Sequence, residues 1–408
     1  MTAELEIVAP DRNRHAEEII DLCAKVFSSQ GYYDMAACCR ESYLLNSHYD
    51  WQASRIGMMD GRIVTHWGVW DYQMRLGQGF LRVGGIGLVA THGQYRKRGL
   101  MAQTIPPALE AMAQAGYDMS LLFGIPDFYH RFGYLRAWSD THYLLSLGQL
   151  PSEPPAFGVE ASPARHTDEM GRLYNRYAAG FAGTAVRPTY PVRGNLIGNW
   201  QIHSWRTPAG KLAGYVVTQS PERGTQHRML VAEAVGRPQD VLAVAAAAAR
   251  KAGLTEVKFV TLNHEGDLAR TLRDGNCRAE TFYHRNAGAL ARIMNLHSTC
   301  AKLLPGLSAR LADSTMAGWE GHLAVRYGDQ AVGLDIARGD ISIAKASRPG
   351  RGAHVLDAGD RLIQLLMGTD QPDEVLCNPA VRCRGDAAAL ARILFPARHP
   401  LLSRWDGF

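Results

Sequence analysis

Val83 to Met101 reads V-G-G-I-G-L-V-A-T-H-G-Q-Y-R-K-R-G-L-M, and Ser120 to Tyr134 reads S-L-L-F-G-I-P-D-F-Y-H-R-F-G-Y. The first segment predicts an apolar strand that runs into a basic loop containing glycine, followed by a helix over residues 99–115. The second segment predicts another apolar strand and then a short aromatic helix. This order suits a phosphate-bearing cofactor, because backbone N–H groups at a helix N-terminus converge on an anion. We call residues 83–134 the cofactor stretch.

The composition of the chain is that of an ordinary globular protein. It has 408 residues, of which 46% are hydrophobic and 20% are charged, and about two to three domains are expected for this length. The net charge of +5 is spread along the chain. A nucleic-acid partner is therefore not expected, because such proteins concentrate basic residues on one face or carry a recognised motif.

Targeting signals and metal motifs are not predicted. The N-terminus M-T-A-E-L-E-I lacks a basic and an apolar signal region, and the longest uncharged apolar run, Val241 to Ala249, is too short to span a membrane. The seven cysteines form neither a disulfide framework nor a usual zinc spacing. These features predict a cytoplasmic protein with reduced thiols and no metal site.

The strand and helix patterns around the cofactor stretch predict three domains, at residues 1–150, 151–287 and 288–408. In the first, an antiparallel meander precedes the stretch and a closing strand over 134–147 follows it. The second repeats this order, since the A-G-L-T-E-V-K-F-V segment at 252–260 parallels A-G-Y-D-M-S-L-L-F at 115–123. In this copy G-R-P at 236–238 replaces the basic loop and no tyrosine matches Tyr129, so it is expected to be structural.

The third domain has a different pattern. Helices are predicted near residues 289–296 and 299–311, followed by a strand meander over 321–345 and further helices at 358–367 and 386–395. The segment S-R-P-G-R-G at 347–352 is a candidate anion site, although a plain turn is the more common role of such a segment.

Two glycine-containing patterns are candidates for phosphate binding. Gly84, Gly85 and Gly87 lie within strand rather than at a strand-to-helix turn, which argues against a dinucleotide fingerprint and for close backbone approach to a ligand. The pattern Arg96-x-x-Gly99-x-Met101 is weak by itself, but it lies between a strand and a helix with Tyr129 downstream.

This arrangement resembles the GCN5-related N-acetyltransferase (GNAT) superfamily, whose loop is usually Q/R-x-x-G-x-G/A. Met101 departs from the last position, and a larger residue there is common in the enhanced-intracellular-survival (Eis) type. The F-Y-H-R-F-G-Y segment, the tandem second copy and the terminal phenylalanine are also similar to that type. The resemblance implies an α+β fold of two GNAT units, with mixed, mostly antiparallel sheets flanked by helices, and a C-terminal domain like sterol-carrier proteins.

The resemblance also implies a function and a site. It implies transfer of an acetyl group from acetyl-CoA to a primary amine by direct attack in a ternary complex. Tyr129 would be the general acid and the carboxylate of Phe408 the general base, in a homohexamer. The residues implied to bind CoA are Gly87, Leu88, Val89, Arg96, Lys97, Arg98, Gly99, Leu100, Met101, Ala102, Gly124 and Ile125.

Elementary chemistry shows what such a site must provide. A lysine-like amine has an unperturbed pKa near 10.4, so deprotonating it at pH 7 costs roughly 4–5 kcal/mol, which a base or a desolvating pocket must offset. His92 and His130 are weaker candidates for phosphate contact and proton transfer. Three questions stay open: the acceptor amine, a larger acyl donor in place of acetyl, and a non-catalytic protein that binds CoA or lipid.

Overall fold

The computed structural model describes residues 4–28, 31–163, 167–188, 200–344 and 353–408, and their helices flank three mostly antiparallel sheets. The fold predicted for the chain, a mixed α/β architecture of such sheets, is confirmed. The candidate anion segment at 347–352 lies outside the described residues.

The strands and helices are as follows. The strands are β1 (Glu6–Val8), β2 (Arg55–Met59), β3 (Arg62–Leu76), β4 (Gly79–Thr91), β5 (Met119–Gly124), β6 (Leu135–Arg136), β7 (Asp140–Ser146), β8 (Val159–Pro163), β9 (Trp200–Arg206), β10 (Leu212–Gln219), β11 (Arg228–Val235), β12 (Glu256–Phe259), β13 (Arg278–Phe282), β14 (Gly288–Ile293), β15 (Gly321–Tyr327), β16 (Gln330–Ala337), β17 (Asp340–Ala344), β18 (His354–Asp357) and β19 (Arg382–Arg384). The helices are α1 (Arg12–Val26), α2 (Tyr32–Cys38), α3 (Leu100–Gln114), α4 (Asp168–Tyr177), α5 (Pro238–Lys251), α6 (Asp267–Asp274), α7 (Leu296–Ala312), α8 (Leu362–Met367), α9 (Pro372–Leu376) and α10 (Ala387–Leu394).

The first two sheets have the same plan and exchange one strand each. The first runs β1-β2-β3-β4-β5-β14-β6 and the second β8-β9-β10-β11-β12-β7-β13. In each, one central pair is parallel, β4 with β5 and β11 with β12. We call α1 to α3 with β1 to β6 the first unit, and α4 to α6 with β8 to β13 the second unit. Strand β7 follows the first unit in the chain but pairs in the second sheet, while β14 follows the second unit and pairs in the first.

This exchange corrects two expectations. The closing strand predicted over 134–147 is divided into β6 in the first sheet and β7 in the second. The helix predicted near 289–296 is instead β14, because Ala289, Leu290 and Ala291 are buried between β5 and β6 and an apolar run of this length suits either structure. Sheet membership therefore does not follow the expected bounds at residues 150 and 287.

Helix α3 lies where the sequence predicts it. It begins after Gly99, whose φ of 74° is left-handed, and it continues through Pro106 and Pro107 without ending. An interior proline removes a hydrogen bond and usually kinks a helix. Here Ile105, Ala108 and Met112 are buried against the first sheet, and this burial keeps the helix in place.

The remaining elements complete the frame of the site. The aromatic segment at 31–50 forms α2 and a π-helical turn at Cys39–Leu44. The third sheet runs β17-β16-β15-β18-β19, and α7 joins it to β4 through a shared apolar core. Among the described residues, no helix is long and apolar enough to cross a membrane.

Candidate active site

The two parallel strands of the first sheet separate within the cofactor stretch. Strands β4 and β5 pair from Val83–Met119 to Ile86–Leu122, and no further. Directly beyond this point β4 bulges, since Gly68 pairs with Gly87 but His66 pairs with Ala90. Leu88 lies in this bulge with a positive φ of 45°. The separation and the bulge together open a notch between β4 and β5, where a ligand can approach the backbone.

A buried histidine holds this bulge. The ring nitrogen Nδ1 of His66 lies 2.8 Å from the carbonyl oxygen of Leu88, and Nε2 lies 2.8 Å from the hydroxyl of Tyr49. A neutral ring that donates from Nδ1 and accepts at Nε2 satisfies both contacts. Burial lowers the pKa of His66 to about 4, which keeps the ring neutral at pH 7. The sequence reading missed His66, although a histidine inside an apolar strand is a usable signal.

The loop after β4 presents a cluster of positive charge to solvent. Arg96, Lys97 and Arg98 are all exposed, and none of them is paired with a carboxylate within the described part of the chain. Lys97 and Gly99 both have positive φ angles, 63° and 74°. These turns precede the N-terminus of α3, whose first N–H groups lack intrahelical partners and favour an anion.

A cavity of about 760 Å³ follows the notch from the basic loop toward β5. Its walls contain most of the residues predicted to bind CoA, namely Gly87, Leu88, Val89, Arg96, Lys97, Arg98, Gly99, Leu100, Met101, Ala102 and Ile125. Tyr129 and Phe408 line the same cavity. Gly124 does not; a Cβ placed on it would lie 2.7 Å from Cδ2 of Tyr129, so it makes room for that ring. We call this space the cofactor cavity.

The last residue of the chain lies against the glycines of β4. A Cβ on Gly85 would lie 2.2 Å from Cδ1 of Phe408, and one on Gly87 would lie 2.6 Å from its carboxylate carbon. Residues two apart in a strand face the same side, so the ring and the carboxylate lie along one face of β4. The ring also contacts Tyr72 and Phe123, with centroids 5.7 and 5.6 Å away.

Tyr129 is buried in a 3-10 turn at Tyr129–Phe132, among other aromatic rings. Phe128 packs edge-on against it at 4.9 Å, and Trp67 lies 6.1 Å away. Burial raises the pKa of Tyr129 to about 12. The phenol is therefore fully protonated at neutral pH and can donate a hydrogen bond into the cofactor cavity.

A second cavity, of about 650 Å³, meets the cofactor cavity at Phe123 and Phe408. It lies between the β6–β7 connection, the second unit and the C-terminal segment. Its walls carry both signs of charge, from Asp140, Asp370, Glu374, Arg273 and Arg404. Phe408 thus separates two spaces, one lined by the basic loop and one of mixed charge. We call the second space the acceptor cavity.

The weaker candidates lie apart from this centre. His130 is exposed, and His92 packs against Tyr95 with ring centroids 5.5 Å apart. Neither lines the cofactor cavity or the acceptor cavity. Within the described residues, no group of three or more His, Cys, Asp or Glu side chains is placed to hold a metal ion.

Comparisons with known proteins agree with this geometry. The family model of the acetyltransferase (GNAT) domain matches residues 10–137. No curated protein matches the chain significantly.

Several solved structures share the fold over nearly the whole chain. A conserved protein from Enterococcus faecalis V583, described as a probable N-acyltransferase, superposes with a TM-score of 0.76 at 16% identity and covers 100% of both chains. A GCN5-related N-acetyltransferase from Anabaena variabilis gives 0.76 at 14% identity, covering 99% of this chain and 100% of that one. Eis1 from Mycobacterium abscessus gives 0.67 at 13% identity with the same coverage.

The domain match runs from α1 to β6, and so it contains the notch, the basic loop and Tyr129. The prediction of an acyltransferase is confirmed by this match. An acyl-CoA donor follows from it. The solved structures, at 13–16% identity, extend the likeness of fold to the second unit and the C-terminal region.

Proposed function

We propose that this acyltransferase moves an acetyl group from acetyl-CoA to a primary amine, with Phe408 as general base and Tyr129 as general acid. The observation that carries the proposal is the position of the Phe408 carboxylate. It lies against Gly87, where β4 leaves β5, at the meeting point of the cofactor cavity and the acceptor cavity. A donor in one cavity and an amine in the other would meet beside this carboxylate.

The basic loop and the notch would bind and align the donor. Arg96, Lys97 and Arg98 supply charge for the phosphates, and the N-terminus of α3 supplies N–H groups. The bulge at Leu88 and Val89 places backbone where the thioester oxygen would lie, so that N–H groups can stabilise the negative charge developing on it. Holding both reactants in this way replaces a collision with an oriented attack.

The carboxylate of Phe408 would accept the proton that the amine must lose. Unassisted deprotonation at pH 7 costs roughly 4–5 kcal/mol for a lysine-like amine. A carboxylate in a partly apolar site attracts the cationic amine by charge and takes one proton from it, which passes on to water, before the nitrogen lone pair attacks. The nitrogen of the tetrahedral adduct then loses a second proton as the amide forms. Transfer is direct, because no cysteine lies in the cofactor stretch to accept the acyl group.

Tyr129 would act on the departing sulfur. Its pKa of about 12 lies about 3.5 units above the ordinary thiol value near 8.5, so full proton transfer is uphill by roughly 5 kcal/mol. The hydrogen bond from the phenol to sulfur therefore comes first, and it stabilises the charge as the C–S bond breaks. Proton transfer then completes the step, and the tyrosinate regains its proton from water.

The experiment measures free thiol release from acetyl-CoA with a panel of primary amines. Three proteins are compared: wild type, Tyr129→Phe, and a variant lacking Phe408. Each altered protein is expected to lose about 100-fold or more in kcat, within the range for a lost acid or base. Full turnover without Phe408 would refute its role as base. Calorimetric titration shows whether acetyl-CoA binds, and failure to bind would instead favour a non-catalytic lipid-binding protein.

The acyl group and the assembly are separate parts of the proposal. A larger acyl donor is the alternative to acetyl, so propionyl-CoA belongs in the same panel. By resemblance we propose three domains, the last like sterol-carrier proteins, a cytoplasmic location and a homohexamer. Light scattering on the purified full chain tests the hexamer, and a monomeric mass would exclude it.

A further inference from the structure

The C-terminal segment reaches the active site along the second unit. The N–H of Leu401 donates to the carbonyl of Ala182 at 3.2 Å. Trp405 is 7% exposed and belongs to an apolar core with Tyr174, Ile202 and Tyr215 of the second unit. We call residues 401–408 the tail. Its path shows that the second unit, rather than the catalytic sheet, holds most of the tail.

A fully buried ionic cluster lies two residues before the terminus. Arg187 donates from Nε to Oδ1 of Asp406 at 3.0 Å and from Nη1 to Oε1 of Glu233 at 2.8 Å. The side chains of Arg187, Asp406 and Glu233 are 1%, 1% and 5% exposed. A charge this deep is tolerated only when it is paired and hydrogen-bonded. Arg187 therefore pairs with both carboxylates, and these ion pairs replace the hydrogen bonds to water that burial removes.

Further hydrogen bonds complete the cluster. The hydroxyl of Tyr215 donates to Oε1 of Glu233 at 2.6 Å, and the hydroxyl of Ser403, on the tail, donates to Oε2. Arg187 also lies 3.5 Å from the ring centroid of Tyr174. Burial opposes the charge of Glu233, yet Arg187, Ser403 and Tyr215 together lower its pKa. Glu233 is thus ionised at neutral pH.

The cluster occupies the second unit's counterpart of the catalytic notch. The parallel pairing of β11 with β12 ends at Val231–Phe259, as that of β4 with β5 ends at Ile86–Leu122. Two residues beyond the end of the pairing stand Glu233 in the second unit and Leu88 in the first. The strand position that lines the cofactor cavity in the first unit, Leu88, therefore corresponds to Glu233 in the second unit, which binds the tail.

We propose that the cluster of Arg187, Glu233 and Asp406 is an anchor that positions the Phe408 carboxylate at the catalytic notch. Only Gly407 separates Asp406 from Phe408, so a displacement of the anchor moves the carboxylate directly. Arg187 and Asp406 are positioning residues, since they act through the terminus and do not line the cofactor cavity. The proposal rests on the proposed function of Phe408, and it assigns the degenerate second unit a task.

The test measures tail release and turnover on the same full-length variants. Asp406→Asn keeps the shape of the side chain but removes its charge, and Ser403→Ala removes one hydrogen bond without leaving a buried charge unpaired. Glu256→Gln is the control, because Glu256 pairs with Arg228 at 2.8 Å in the same sheet, at the start of β11 and five residues before Glu233. Carboxypeptidase A is used to measure the release rate of Phe408, and circular dichroism checks that each variant is folded.

The anchor predicts a specific pattern. Release of Phe408 should rise about tenfold in Asp406→Asn and less in Ser403→Ala, since cleavage follows the population of the open tail. Over the same series kcat should fall in proportion to the fraction of chains whose tail is closed, so it falls measurably only where the open tail becomes a sizeable fraction, while KM for acetyl-CoA stays within about twofold. Glu256→Gln should change neither quantity.

Two results separate the anchor from the proposed function. If folded Asp406→Asn and Ser403→Ala release Phe408 as slowly as wild type, the anchor is refuted. If release rises in both variants and the variant lacking Phe408 keeps full turnover, the tail is anchored as stated, and the role of Phe408 as base is what fails. If Asp406→Asn does not fold, Ser403→Ala alone decides between these results.

Discussion

At the scale of residues, the glycines of β4 have a purpose that their pattern does not reveal. Gly85 and Gly87 suggested close approach of a ligand to the backbone, and the group that approaches is the chain's own terminal residue. Any side chain at either position would overlap Phe408. Glycine weakens a strand, and here that cost is offset by seating the terminus against the sheet.

Gly87→Ala tests this contact. The added methyl would lie 2.6 Å from the carboxylate carbon of Phe408, so the terminus must move. A displacement of about 1 Å at a catalytic group costs about 100-fold in rate, and a loss of kcat of that size is expected in thiol-release assays. Gly158→Ala is the control, because nothing lies within 4 Å of its added Cβ. Equal activity of the two variants would contradict the contact.

His66 makes the stability of the catalytic sheet sensitive to acid. Burial lowers its pKa to about 4 in the folded chain, whereas the unfolded value is near 6.5. Between about pH 6.5 and 4 the unfolded chain binds a proton at His66 that the folded chain does not, so the free energy of unfolding falls as the pH decreases through this range. Between pH 7 and 4.5 the loss is about 2 kcal/mol.

Urea unfolding of wild type and His66→Gln at pH 7 and 4.5 measures this loss. The variant should lose about 2 kcal/mol less than wild type over that range. His297→Gln, which changes an exposed histidine of α7, should behave as wild type does. If the free energy of unfolding of His66→Gln falls as much between pH 7 and 4.5 as that of wild type, His66 does not titrate in this range.

At the scale of elements, the loop between β4 and α3 combines charge with an unusual backbone. Lys97 adopts a positive φ of 63°, which glycine tolerates better than any other residue. Replacing Lys97 by glycine therefore removes charge without straining the turn. The equivalent loop of the second unit carries Arg237, which is exposed and paired with Asp240 at 2.9 Å.

Lys97→Gly is expected to raise KM for acetyl-CoA roughly fivefold at low salt, with kcat little changed, because a surface charge contributes up to about 1 kcal/mol. The difference should shrink in about 0.5 M salt, where screening is strong. Arg237→Ala is the matched control in the second unit and should leave KM unchanged. If Arg237→Ala raises KM for acetyl-CoA more than Lys97→Gly does, the donor binds in the second unit rather than in the first.

At the scale of the whole molecule, the exchange of β7 and β14 makes the two units depend on each other. Strand β14 lies inside the first sheet, paired with β5 on one side and β6 on the other. The first sheet is therefore incomplete until the chain has been made as far as Ile293. The tail adds a second dependence, since it crosses the second unit before it reaches the first.

Two truncated chains test the exchange, one ending at residue 287 and the other at residue 293. They differ only in the six residues of β14, and both lack the C-terminal region. Both chains expose the face of β4 that α7 covers in the full protein, so the longer chain should be recovered in higher soluble yield than the shorter one and with the stronger sheet signal in circular dichroism. The shorter one should aggregate, because it exposes the unpaired edges of β5 and β6. Similar recovery of the two would argue against the exchange as a requirement for folding.

Local signals allowed much of the fold and of the candidate site to be predicted. The strand, basic loop, helix and aromatic turn of the cofactor stretch depend on residues close together in the chain, and the structure has them at 79–132. Pairing over long distances was not predictable. The segment that forms β14 fits a helix as well as a strand, because its small apolar residues suit either period.

What the sequence by itself determined is the acyltransferase domain, because its loop, glycines and tyrosine lie within about fifty residues and report on local backbone. Only the tertiary structure decided which strands exchange, how His66 supports the bulge, and how Arg187 reaches Asp406, 219 residues away. Contacts of that range depend on how whole sheets pack together. Burial, which turns Arg187 and Asp406 from ordinary charges into an anchor, exists only in the folded chain.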